Sequence, residues 1–320
     1  MECRRCFRRC SLKEGKFGYC RVMDLETHEL GQPRISSMSV GPIEAKGIYH
    51  FFPGSKVLTV GFYGCNLRCP FCINPEVSHG FASGPPMMEI DLVKKAKDEG
   101  CDGLAFSFSE PLLFAEFVWL AFHEAHKEGL FTALRTSAMV SPHYFENVMS
   151  ATDALCIDIK GSPRVYEFCG AGGAALDDLY ANIKRAGKSS NLEVSFIIRP
   201  GELDGDMLRI VKETTGLSNR TPVHLVSFLP SFKCNDEPAA TKADMRRAKE
   251  RASFRFLHVY DESTSYETRC CFCKALLVER EEGVVTYNSL KGNLCRCCGT
   301  ELWNPCVTTI PAGTASSYLR

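Results

Sequence analysis

The segment "GCNLRCPFC" places Cys65, Cys69 and Cys72 within eight residues, and no further cysteine follows until Cys101. Four thiolates close a structural metal site, whereas three protein ligands leave one coordination position for water or substrate. The same count applies to a cubane iron–sulfur cluster: four thiolates saturate four irons, and three leave one iron free to bind something else. Asn66, Leu67 and Arg68 separate the first two cysteines, and Pro70 and Phe71 the second pair. A single short loop with these spacings can wrap one cluster. A zinc knuckle or half of a ferredoxin motif is the competing reading.

Two further cysteine groups flank this one. Near the C-terminus, Cys270 and Cys273 form one C-x2-C knuckle, and Cys295 and Cys298 form another 21 residues on. That spacing suits a tetrahedral zinc ribbon with hairpin strands between the knuckles, and iron would satisfy the same ligands. Cys271, Cys297 and Cys306 are extra members of this group. At the start of the chain, Cys3, Cys6, Cys10 and Cys20 supply four thiolates, enough to close a site around zinc or a second iron–sulfur cluster. The isolated Cys101, Cys156, Cys169 and Cys234 read as small buried residues.

The elements that must position these ligands alternate. Lys56–Phe62 reads as a buried strand ending at the three-cysteine loop. Strands are expected at Gly103–Ser109, "FTALRTS", Ala154–Lys160, Leu192–Ile198, Pro222–Leu229 and Phe254–Tyr260. Helices are expected at Leu112–Gly129, after Ser141 as cap and Pro142, at Leu176–Gly187, and around Asp206–Thr215 and Asp244–Ala252. Apolar strands each followed by a helix predict an α/β fold with a parallel sheet curled into an open or closed barrel. Active sites of such folds lie at the carboxyl ends of the strands. The cysteine loop begins where its strand ends, so it falls on that rim.

The C-x3-C-x2-C spacing after the first strand of an alternating α/β chain resembles the radical S-adenosylmethionine (radical SAM) superfamily. The resemblance implies a 4Fe-4S cluster on Cys65, Cys69 and Cys72 whose open iron binds the amino and carboxylate groups of S-adenosyl-L-methionine. It also implies reductive cleavage to methionine and a 5′-deoxyadenosyl radical that takes hydrogen from a substrate. "FSFSEPLLF" resembles the family's Gly-Gly-Glu-Pro stretch; Glu110 then contacts the methionine amino group, with Phe108 and Ser109 in place of the glycines. "CIDIKG" resembles the Asp-x-Lys stretch of activating enzymes, which puts Asp158 and Lys160 near the cofactor carboxylate; a surface ion pair is the alternative. "IIRPGELDGD" resembles a strand-end Pro-Gly stretch, with Arg199 holding the carboxylate or simply solvated. Phe71 packs on adenine by the same likeness, or belongs to the core.

The layout from Cys3 to Gly299 resembles one branch, the AmmeMemoRadiSam-system radical SAM enzymes, close to pyruvate formate-lyase activating enzymes. Gly41 and Ala45 depart from that branch, and "INPE" after Cys72 is nearer to the activating enzymes. The resemblance implies a partial (β/α)6-type TIM-like barrel. The expected divisions are a cysteine-rich extension at 1–36, the barrel at 37–264, a zinc-ribbon-like module at 265–306 and a flexible tail at 307–320. Implied partners are an electron donor such as flavodoxin or ferredoxin, and a glycyl-radical enzyme or other protein substrate. Radical modification of a small molecule or RNA, and a non-enzymatic iron–sulfur electron carrier, are the alternatives.

Composition sets outer bounds. The 320 residues carry 38 Lys+Arg and 38 Asp+Glu, so no overall charge favours nucleic acid or anionic lipid. Residues 1–21 are locally basic, with seven Lys/Arg against two Glu, which reads as a solvated face that eases docking of the electron donor. No apolar run is long enough for a membrane helix, and "MECRRCFRRC" has no apolar core of a secretory signal. Eighteen cysteines without that signal point to a reducing cytoplasm and to metal ligands rather than disulfides.

Overall fold

Seven parallel strands follow one another in chain order, so each crossover joins neighbours. They are preceded by one antiparallel strand. A computed structural model describes residues 2–12, 17–22, 33–189, 191–200, 205–251, 257–259 and 265–302. Cys306, the tail, Lys13, Glu14, Lys16, residues 201–204 of the Pro-Gly stretch and the ends of the expected last strand lie outside the described residues. Strand β1 (Ile35–Pro42) pairs antiparallel with β2 (Lys56–Phe62). Parallel strands β3 (Gly103–Phe106), β4 (Phe131–Thr136), β5 (Ala154–Ile159), β6 (Asn191–Ile198), β7 (Val223–Ser227) and β8 (Leu257–Val259) continue the sheet. β1 and β8 are its two ends, which makes the barrel open.

Helices α1 (Pro75–His79) and α2 (Glu89–Asp98) lie between β2 and β3, then α3 (Ala115–Lys127), α4 (Pro142–Met149), α5 (Pro163–Phe168), α6 (Ala175–Ser189), α7 (Gly205–Thr215) and α8 (Lys242–Arg251) follow. The strands alternate between two buried faces. Leu58, Val60, Leu104, Phe106, Leu134, Leu155, Ile157, Val194 and Phe196 pack outward with helix residues such as Val118 and Phe122. Val57, Ala105, Ala133 and Cys156 point inward, where Ile43, Ile48 and Phe51 from the β1–β2 connection plug the base of the barrel.

Several elements depart from expectation. No strand is expected before Lys56, yet β1 forms: its residues alternate between half-buried and exposed, the signature of an edge strand with little apolar content. It runs across the expected division at 36/37. α2 buries only Leu92, Val93 and Ala96 of a lysine-rich sequence, so its apolar stripe is thin. The α3 segment starts later than expected, because Pro111–Phe114 first make a 3-10 turn. Ser141 sits at the N-cap of α4 without capping it; its hydroxyl instead donates to the Arg4 carbonyl at 2.7 Å and tethers the N-terminal arm.

The C-terminal strands form a separate three-stranded sheet, β9 (Ser265–Arg269), β10 (Leu276–Glu281) and β11 (Val284–Asn288), with a small hairpin of β12 (Leu290–Lys291) and β13 (Leu294–Cys295). This sheet is latched to the base of the barrel by Arg280, which is fully buried. Its guanidinium bonds the Tyr49 carbonyl, reaches Thr268 Oγ1 at 3.3 Å and pairs with Glu44 at 3.4 Å. Removing one member of a buried pair strands the other charge, at about 3–5 kcal/mol. Arg280→Ala is therefore expected to lower stability by roughly that amount. Glu44→Gln combined with Arg280→Met should cost less than the single change in anaerobic urea unfolding.

Candidate active site

The three-cysteine loop leaves the carboxyl end of β2 and is braced on every side. Gly64 opens it with φ +92, and a Cβ there would meet the Cys20 carbonyl oxygen and Val22 at 2.6 Å each, so only glycine fits. The Asn66 side-chain amide donates to the Met139 carbonyl at 2.7 Å, and the Arg68 amide to the Cys169 carbonyl at 2.9 Å. On the far side, Ser231 Oγ donates to the Phe71 carbonyl at 2.9 Å and the Lys233 amide to that of Pro70 at 2.8 Å. Cys65 and Cys69 are buried and Cys72 is half-buried.

Burial, and then the nearby Glu110 carboxylate, push the Cys65 thiol far above its ordinary value. The adjacent Cys169 thiol and burial do the same at Cys69, against the pull of the Lys160 ammonium. Buried thiolates without a counter-charge are unfavourable, and a bound metal centre inverts that balance by supplying the charge. The donor set therefore fits an iron–sulfur cluster. The Leu67 amide already points at Cys65 Sγ, 3.4 Å away.

Glu110 follows Phe108 and Ser109, which both take positive φ where the resembled motif has glycines. Its buried carboxylate accepts from the Leu112 amide at 3.1 Å, Thr136 Oγ1 at 2.6 Å, the Ser137 amide at 3.0 Å and Ser137 Oγ at 2.5 Å. Four donors fill its two oxygens. The side chain thus fixes the β3 turn against the end of β4. Asp158, on the inner face of β5, is held by Arg135 Nε and Nη2 at 2.9–3.2 Å and by Lys160 Nζ at 3.4 Å. Against the cost of burial, Arg135 and then Lys160 hold Asp158 far below the carboxylate range, and Asp158 in turn keeps Lys160 protonated. The pair is an inward network at the rim, not a surface contact.

Arg199 closes β6 on the same rim and is 9% exposed. Its guanidinium lies 5.1 Å from the Phe71 ring and 4.6 Å from that of Phe228, and one nitrogen bonds Glu237. Among the described residues, the buried Nη1 has no hydrogen-bond partner. A cleft of about 450 Å³ lies beside it, lined by Arg164, Val165, Glu167, Phe168 and Arg199. A cleft of that size lined by two arginines, Arg164 and Arg199, fits a carboxylate-bearing nucleoside cofactor.

The N-terminal arm packs directly on the loop. Arg5 binds Glu116 at 2.7 and 3.0 Å, Arg8 donates to the Asn66 carbonyl at 2.9 Å, and Arg21 bonds the His79 carbonyl. Three arginines of the expected solvated face, Arg5, Arg8 and Arg21, thus clamp the arm in place, while Arg4 and Arg9 are exposed. Cys6 and Cys20 are buried, Cys3 and Cys10 half-buried. At the opposite end of the chain, the sulfurs of Cys270, Cys273, Cys295 and Cys298 lie within 4.8 Å of one another, as a single ion requires. Cys271 and Cys297 stand outside that set.

Sequence reasoning missed two inner-face cations. Arg135 looked like one polar residue in "FTALRTS", although its place on β4 opposite Cys156 of β5 puts it beside Asp158. Lys46 lies 4.9 Å from the Phe108 ring, and burial, then Arg135, lower its ammonium to about 8. A lone lysine inside "GPIEAKGIYHFF" was the only available signal.

The sequence model described as the radical SAM superfamily matches residues 59–214. An uncharacterized protein of Methanocaldococcus jannaschii is 28% identical, covering 94% of this chain and 95% of its own. The pyruvate formate-lyase-activating enzyme of Clostridium pasteurianum is 30% identical, over 45% of this chain and 63% of its own length. The pyruvate formate-lyase 1-activating enzyme of Escherichia coli is 26% identical over 55% of this chain and 75% of its own. Among solved structures, SuiB of Streptococcus suis bound to S-adenosylmethionine aligns with a TM-score of 0.49 at 14% identity, covering 69% of this chain and 53% of that one.

Glu110→Ala removes the acceptor for four donors, and each buried donor left unsatisfied costs about 1–3 kcal/mol. The variant is expected to melt well below the parent and to incorporate less iron. Glu110→Gln, which keeps the shape and part of the acceptor capacity, should recover much of both. Equal melting of Glu110→Ala and the parent would count against this role.

Proposed function

We propose that the chain, whose residues 59–214 match the radical SAM superfamily, uses Cys65, Cys69 and Cys72 to hold a 4Fe-4S cluster that cleaves S-adenosyl-L-methionine. When bound and reduced, that pair supplies a 5′-deoxyadenosyl radical and methionine, the radical then taking a hydrogen atom from substrate. The observation that carries the proposal is the placement of three cysteines at the carboxyl end of β2, with Arg199, which packs on Phe71 of the same loop, lining a cleft.

Each residue then has a defined task. Arg199, which lines the cleft, is the proposed partner of the cofactor carboxylate, and Phe71, which Arg199 overlies, provides an aromatic wall for the adenine. Lys160 carries positive charge to the cluster loop near Cys69, and Asp158 fixes it there through the Arg135 network. Glu110 holds the turn that faces the loop. Cys3, Cys6, Cys10 and Cys20 do not gather within 4.8 Å as the C-terminal four do; they are proposed ligands of a second centre, iron–sulfur or zinc, set against the first loop. Zinc, or iron, is proposed for the converged C-terminal four.

The substrate proposed is a glycine of a partner enzyme, with flavodoxin or ferredoxin as the electron donor. The activating-enzyme relatives support that reading. Anaerobic reconstitution followed by a 5′-deoxyadenosine assay tests the chemistry. Cys65→Ala, Cys69→Ala and Cys72→Ala should each abolish cleavage, a loss of several orders of magnitude. Full cleavage by any one of them, with an intact cluster, overturns the ligand assignment. A glycyl-radical resonance on a co-purified partner supports the protein substrate. Cleavage that depends on a metabolite and on no large partner replaces it with a small molecule.

A further inference from the structure

We propose that His50, Glu193 and His224 form a separate centre for one zinc ion, at the end of the barrel opposite the cysteine loop. The three residues come from three places: the β1–β2 connection, the inner face of β6 near its start, and the inner face of β7 near its start. Arg199 at the rim lies six residues beyond Glu193, on the order of 20 Å along the strand. Their ligand atoms all lie within 4.8 Å of one another, and all three residues are buried.

The geometry is convergent rather than merely crowded. His50 Nδ1 lies 2.9 Å from Glu193 Oε2, and His224 Nε2 lies 2.5 Å from that same oxygen. The two imidazoles are nearly parallel, at 18°, with centroids 5.8 Å apart. The other carboxylate oxygen is occupied by the Tyr49 and His50 amides at 2.9 and 2.8 Å, which leaves Oε2 as the oxygen directed at both rings. Two imidazoles and a carboxylate are a donor set for zinc. Ligating histidines use their second nitrogen on an outer partner, and His50 Nε2 lies 3.5 Å from Thr268 Oγ1 on β9. A void of about 10 Å³ borders His50 and Glu193, close to the room one water needs.

Enclosure makes the ion structural. It joins the floor of the barrel to strand β9 of the C-terminal sheet, next to the Arg280 latch, which bonds the same Thr268 hydroxyl. The competing arrangement is a hydrogen-bonded His–Glu–His network, in which both inner nitrogens carry protons and no ion is present.

Zinc K-edge absorption on the unmodified, anaerobically purified chain separates the two without any variant. The site predicts a nitrogen/oxygen-ligated zinc in addition to any sulfur-ligated zinc. Glu193→Gln and His224→Asn should each lower zinc by about one equivalent per chain. In both, the thiolate charge-transfer band of the cobalt-substituted C-terminal cysteines should remain. A zinc spectrum with sulfur scatterers alone, or a zinc content unchanged in both folded variants, overturns the site and leaves the hydrogen-bonded network.

Discussion

Burying cysteine sulfur raises the cost of the thiolate form, yet the three-cysteine loop buries two of its three sulfurs where a strand ends. Everything around the loop responds to that tension. Charge must come from a bound centre, and the Lys160 ammonium already favours the thiolate of Cys69. The loop must also hold its shape before the centre assembles. Hydrogen bonds from the end of β4, from α5 and from the segment after β7 supply that rigidity, and Gly64 lets the N-terminal arm approach to backbone contact.

The barrel separates two kinds of polar chemistry along its inner face. At the rim, Asp158, Lys160 and Arg135 form one satisfied network, and Arg199 keeps one donor unspent beside an open cleft. At the floor, an apolar plug from the β1–β2 connection fills the lumen, and Arg280, Glu44, Thr268, His50, Glu193 and His224 make a dense buried set around it. The rim is built to admit a ligand, and the floor to exclude solvent and fasten the C-terminal sheet.

Much of this was legible from residue order. β2 to β7 announced themselves as short apolar runs because both faces of those strands are buried. The thin stripe of α2 and the half-exposed β1 carried too little apolar periodicity to be read. The cysteine trio and the C-terminal knuckles were visible because their ligands are close in sequence. Arg135, Lys46 and the His50–Glu193–His224 group were not, since their partners are brought together only by sheet register and by the folded β1–β2 connection. A count of arginines in the N-terminal arm could not say which of them, such as Arg5 and Arg8, reach carbonyls and carboxylates.

Cys169 is the residue that tests the central claim, for its thiol lies against Cys69 and is the nearest rival for a fourth ligand. Mössbauer spectroscopy of the anaerobic, iron-57-labelled protein, with and without S-adenosyl-L-methionine, asks the question directly. Binding through three cysteines predicts that one iron of each four changes its isomer shift when the nucleotide is added, in the parent and in Cys169→Ala alike. Four irons that ignore the nucleotide, or a cluster lost on replacing Cys169, would contradict it.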